Sequence, residues 1–102
     1  MTRVRFHRAA SAEAEAAVRW YEERVEGLGA DFRAELVLGV ERIAERPSVW
    51  PASEHDPRAR RYLLSRFPYS IVYLVAEDGS VTVAAVAHAK RRPAYWRRRV
   101  EP

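Results

Sequence analysis

The chain has 102 residues, no cysteine and a formal net charge of +4. That length points to a single domain over residues 1–102 with one modest core, and the missing cysteine excludes disulfides, thiolate metal sites and a cysteine nucleophile. No apolar run approaches the ~18 residues of a membrane span, and the first residues lack the pattern of a signal peptide; a cytoplasmic location with no membrane partner is expected. The charge is unevenly placed. Residues 1–57 hold 8 Arg against 11 Asp and Glu, a net of −3, while residues 58–102 hold 10 Lys and Arg against 3 acids, a net of +7. A basic half of this kind suits phosphates or an acidic protein, so the working surface is expected on the arginine-rich C-terminal half.

Residues 3–8 alternate polar and apolar, with Val4 and Phe6 on one side, which predicts a short half-buried strand. Ser11 stands where a helix N-cap belongs, and Glu13 and Glu15 follow in what would be the first turn, where carboxylates suit the helix dipole. Ala14, Ala17, Val18, Tyr21, Val25 and Leu28 form one face of that helix. Gly27-Leu28-Gly29 ends it. A second helix is expected from about Ala30 to Arg46, burying Phe32, Leu36, Gly39, Val40 and Ile43, and Pro47 stops it. So short a connection makes the two helices an antiparallel hairpin.

Pro47, Pro51 and Pro57 mark a loop. From Ala59 the pattern is that of a strand, with Tyr62, Leu64 and Arg66 alternating with Arg61, Leu63 and Ser65 until Pro68 interrupts. Tyr69 to Ala76 is apolar on both faces and reads as a central strand. Asp78-Gly79 is a strong hairpin signal, and Val81 to His88 is the return strand. If Glu77 faces Ser80, paired residue numbers sum to 157: Tyr73 faces Ala84, Tyr69 faces His88, and Arg66 would lie opposite Arg91 beyond the proline. Pro93 opens a short terminal helix from Ala94 to about Arg99. The expected fold is therefore α+β, in the order β-α-α-β-β-β. A helical hairpin packs on one face of a small, largely antiparallel sheet, and a short C-terminal helix follows.

His7, His55 and His88 have no metal-ligand spacing, and Glu54-His55-Asp56 reads as solvated polarity in a proline-rich loop, so no metal is expected. No phosphate-cradling glycine pattern occurs, no cofactor is implied, and Ser65 and Ser70 lack a recognisable base partner. What remains is a cluster of cations and aromatics: Arg58, Arg60, Arg61, Arg66, Tyr69, Tyr73, His88, Lys90, Arg91, Arg92, Tyr95, Trp96 and Arg97-Arg98-Arg99. Guanidinium groups hold phosphates and rings stack on bases. Each also has a structural reading: Tyr69 and Tyr73 as packing residues, Trp96 as an anchor of the terminal helix, Arg97–Arg99 as charges suited to a helix C-terminus. His88 fits either a packed strand-end residue or a general acid/base working near neutral pH.

Four stretches in order, Trp20-Tyr21-Glu22-Glu23-Arg24, Gly27 to Phe32, Arg66-Phe67-Pro68-Tyr69-Ser70-Ile71-Val72-Tyr73 and Ala87 to Trp96, resemble the RelE/ParE toxin superfamily over nearly the whole chain. The resemblance implies the toxin of a type II toxin–antitoxin pair, held by a cognate antitoxin protein in a hetero-oligomer. It also implies one of two targets. RelE-like toxins cut messenger RNA on the ribosome without a metal. In that case Arg66, Arg91 and Tyr95 lie at approximately corresponding catalytic places, and His88 would have to supply the base, because Arg58, Arg60 and Arg61 stand where that branch has lysines and an arginine does not readily give up its proton. ParE-like toxins inhibit DNA gyrase by binding. The Trp-Tyr-Glu-Glu and Tyr-Trp signatures sit closer to this branch, for which Arg61, Arg91, Arg92, Trp96, Arg97 and Arg98 are the expected target contacts. A non-toxic relic of the family is a third reading.

Overall fold

The computed structural model of the protein describes residues 2–101. Its elements are β1 (Val4–Phe6), α1 (Arg8–Arg24), α2 (Leu28–Glu45), β2 (Ala59–Leu63), β3 (Tyr69–Val75), β4 (Val81–His88) and a 3₁₀ helix over Arg97–Val100. The strands form one sheet in the order β1-β4-β3-β2. β2 and β4 pair antiparallel to β3, and β1 pairs parallel to β4. This is the expected α+β order, with the helical hairpin on one face.

The start of α1 differs from expectation. His7, not Ser11, caps it: its Nδ1 accepts the Ala9 N–H at 3.1 Å, while its own N–H bonds the Val83 carbonyl at 2.9 Å. One residue thus closes the β1–β4 ladder and opens the helix, leaving no room for a loop. Ser11 is inside the first turn, and Glu13 lies beyond it, so that turn holds no acidic residue.

The helical hairpin is tighter than the sequence suggests. α1 stops at Arg24, and Val25, expected on the buried stripe, is 56% exposed. Gly27 has φ +87°, a conformation that suits glycine, and α2 begins directly after it at Leu28. The Glu22 carboxylate accepts the N–H groups of Gly27 and Gly29, each at 3.0 Å, and locks the turn. The expected core face of α2 is confirmed: Phe32, Leu36, Gly39 and Ile43 are buried and Val40 packs beside them. Tyr21 stacks on Phe32 with ring centroids 5.6 Å apart, and Phe67 and Tyr69 meet Phe32 edge-on at 5.1 and 5.0 Å.

At the turn Ala76, not Glu77, meets Ser80, its N–H bonding the Ser80 carbonyl at 2.8 Å. The register from Val75↔Val81 to Tyr73↔Val83 is therefore one residue off the expected one, and a bulge restores the expected pairing from Val72↔Ala85 to Tyr69↔His88. The bulge follows from the apolar pattern. Val81, Val83 and Val86 all belong to the helix-side core, yet 83 and 86 are an odd number apart. A strand alternates its side chains strictly, so one residue must be left over to keep Val86 inside. Ala84 and Ala85 both face the opposite side, in a second cluster with Ala59, Val72 and Trp96.

Two further expectations give way near the sheet ends. β2 stops at Leu63, and Arg66 does not come opposite Arg91. Its backbone N–H bonds the Glu35 carboxylate at 3.2 Å and its side chain reaches Asp31 at 3.5 Å, both on α2. Pro68 cannot donate to a ladder, and the chain bends there. The expected helix from Ala94 is a turn followed by the 3₁₀ helix, because Ala94 itself adopts φ +57°.

Gly29 fixes how closely the helices approach: a Cβ there would sit 2.6 Å from the Val18 carbonyl oxygen, a backbone atom. Alanine is the better helix former by about 1 kcal/mol, yet Gly29→Ala should destabilise the fold by about 1–3 kcal/mol through overpacking. The midpoint of urea unfolding checks the sign.

Candidate functional site

The terminal segment crosses the helix-free face of the sheet, and one carboxylate fastens it. Glu13, on α1, accepts the Val86 N–H at 3.0 Å beyond the point where β1 has ended. It also accepts the Tyr95 hydroxyl at 2.7 Å and both terminal nitrogens of Arg99 at 2.9 Å each. Arg99 donates as well to the carbonyl of Ala84, the bulged residue, at 3.1 Å. Arg91 lies over the Tyr95 ring at 3.7 Å and 3.8 Å from Glu13. Burial pushes the Glu13 carboxyl up, but hydrogen bonds from Arg99, Tyr95 and Val86 prevail and hold it below the ordinary carboxylate value. Burial, then the bond to Glu13, pushes the Tyr95 phenol far above the ordinary value.

A second carboxylate holds the other flank. Asp56 is buried, and Arg58 meets it from Nε at 3.0 Å and Nη2 at 2.6 Å. Arg97 approaches from the terminal segment at 3.4 Å and donates to the His55 carbonyl. The hydrogen bonds from Arg58 hold the Asp56 carboxyl well below the usual range against the opposing effect of burial. The cluster Glu54-His55-Asp56, read as solvated polarity, therefore contains a structural anchor.

Between these fastenings lies a cleft of about 150 Å³, lined among others by Arg61, Ser70, His88, Arg91, Arg92 and Tyr95. Arg61 donates to the buried Ser70 hydroxyl at 3.2 Å. His88 stands edge-on to Tyr69, centroids 5.0 Å apart, and its Nδ1 accepts the Lys90 N–H at 3.0 Å. The bulge turns His88 toward the helix side, where it also lines an apolar groove with Trp20, Tyr21 and Val86. Of the expected catalytic set, then, His88, Arg91 and Tyr95 come together, with Tyr95 committed to Glu13, while Arg66 is held at α2. Of the expected target contacts, Arg91, Arg92, Arg97 and Arg98 are exposed, Arg61 is half-buried, and Trp96, 4% exposed, packs inside the second cluster. Among the described residues no group of three or more His, Asp and Glu side chains is placed to hold a metal, and no helix is long and apolar enough to cross a membrane.

The sequence model of the family described as ParE toxin of type II toxin-antitoxin system, parDE, matches residues 4–93. The chain belongs to the ParE toxin family. A solved structure described as the chromosomal ParDE TA system from P. aeruginosa shares the fold, with a TM-score of 0.76 at 16% identity over 88% of this chain and 98% of that one. No curated protein sequence matches the chain.

Glu13 is the anchoring residue beside the cleft that the sequence alone does not single out, being read as a carboxylate for the helix dipole. Its spacing carries a signal nonetheless. It stands three residues after Ala10 and four before Ala17, both buried, and so lies on the inward stripe. An acid there needs partners from another element.

Both anchors titrate in the native state below their ordinary values of 4.5 for Glu13 and 3.8 for Asp56. As pH falls the unfolded chain takes up those protons first, so their contribution is complete above about pH 5 and is lost as pH drops through the native pKa values. Stability should decline on the acid side, and Glu13→Gln should flatten that decline while costing about 3–5 kcal/mol at neutral pH, since Arg99 loses its counter-charge. Urea titrations across that pH range read both effects.

Proposed function

We propose that this chain is a toxin that arrests growth by binding and inhibiting DNA gyrase, and that a cognate antitoxin protein neutralises it. The observation that carries the binding mode is the commitment of Tyr95 and Arg99 to Glu13. A ribonuclease needs an acid, a base and an oxyanion-stabilising cation converging on one phosphate with protons free to move. Here the phenol is tied to a carboxylate in a satisfied network, and Arg66 is drawn away to Asp31. A binder needs only a complementary surface with a few strong anchors. The exposed Arg91, Arg92 and Arg98 offer cations around the cleft. The same surface suits the carboxylates of an antitoxin, whose affinity is then expected to weaken as salt rises.

The discriminating experiment scores gyrase supercoiling and ribosome-dependent transcript cleavage with the same purified chain. The expected result is inhibited supercoiling, intact transcript, and full inhibition by His88→Gln. Arg91→Ala combined with Arg92→Ala should weaken inhibition roughly tenfold, which corresponds to about 1.4 kcal/mol. Transcript cleavage that disappears in His88→Gln would establish the ribonuclease instead, and expression without growth arrest would establish a relic.

A further inference from the structure

We propose that the cleft between Arg61 and Arg92, on the helix-free side of the sheet, is a binding site for a small tetrahedral oxyanion: free phosphate or the terminal phosphoryl group of a nucleotide. The inference stands apart from the choice of gyrase or messenger RNA as target.

Three observations carry it. First, the cleft holds more cations than the neighbouring acids offset. Arg61, Arg91 and Arg92 line it, together with His55 and His88, and no carboxylate does. The two acids flanking it are already occupied: Glu13 by Arg99, Tyr95, the Val86 N–H and, at 3.8 Å, Arg91, Asp56 by Arg58 and Arg97. Among the described residues neither Arg61 nor Arg92 has an ion pair. A guanidinium partly withdrawn from water, as Arg61 is, gains from a charged partner, and a cationic recess with low-dielectric walls concentrates anions.

Second, the geometry prepares Arg61 to grip. A guanidinium carries five N–H donors, and one of the Arg61 donors is held at 3.2 Å by the hydroxyl of Ser70, itself buried on the neighbouring strand. The plane of the fork is thereby oriented while other donors stay open, which is the arrangement that reads an oxyanion bidentately.

Third, the size selects the ligand. The cleft holds about 150 Å³, below the roughly 300 Å³ at which sites for drug-sized organic ligands begin. A phosphoryl group enters; a base and ribose stay outside, over the exposed Arg91 and Arg92.

The test follows the melting temperature of the chain titrated with sodium phosphate, with adenosine 5′-monophosphate, or with sodium chloride at equal ionic strength. Saturable stabilisation by phosphate but not chloride is expected, abolished in Arg61→Gln and retained in Arg33→Gln, which removes an equal charge from the exposed face of α2. Equal responses to phosphate and the nucleotide identify the free anion as ligand, and a tighter nucleotide response identifies the phosphoryl ester. Should Arg61→Gln fail to fold, the side-chain Nε–H resonance of Arg61 in the intact chain must move on phosphate titration, while that of Arg33 does not. Stabilisation that is unsaturable, that chloride reproduces, or that survives Arg61→Gln overturns the site, as does a stationary Arg61 resonance.

Discussion

The terminal segment, the bulged strand and the first helix are joined by one carboxylate. Withdrawing Glu13 from water is costly, and the chain offsets that cost with an N–H from β4, a phenol and a bidentate guanidinium from the terminal segment. Each partner would itself be poorly satisfied without the acid. Val86 lies past the end of β1 and has no strand to bond on that side. Arg99 and Tyr95 are both partly buried. A network in which every member satisfies another specifies one arrangement, and losing any member strands the rest.

The bulge makes that arrangement reachable. Leaving Ala84 over keeps Val86 in the helix-side core and puts two alanines in succession on the opposite face. Small side chains there let the Trp96 ring lie against the sheet, and the carbonyl freed at Ala84 becomes an acceptor for Arg99. The same slip turns His88 toward Tyr69. A position that unbroken alternation would place on the cleft side thus lies at the boundary between the cleft and the apolar groove beside α1. The packing of Val86 in the helix-side core therefore sets the orientation of this histidine.

The helices and the order of the elements along the chain are legible in the sequence because each rests on local physics. The pairing of Tyr69 with His88 is not, since at the turn Ala76 rather than Glu77 meets Ser80 and only the bulge brings Tyr69 back opposite His88. Apolar spacing defines the stripe from Phe32 to Ile43, and Asp78-Gly79 supplies the turn with Gly79 at φ +88°. What is illegible depends on partners distant in the chain. Ser11 has the chemistry of a cap, but the ladder bond from His7 to Val83 starts the helix earlier. The bulge needs knowledge of which valines share a core. Arg66 follows strand spacing, yet two acids on α2 draw it off the sheet. Asp56 looks like loop polarity until Arg97 arrives from 41 positions further along the chain. Long-range ion pairs of this kind leave no periodic trace.

If Glu13 is the fastening on which the terminus depends, the amide of Val86 reports it directly. Amide hydrogen exchange, read residue by residue, should show Val86 protected to the level of the strand-paired amides of β4 in the intact chain. In Glu13→Ala its protection, along with that of residues 95–99, should collapse while the amides of β3 keep theirs. Rapid exchange at Val86 in the intact chain, or protection unchanged by Glu13→Ala, would contradict the account.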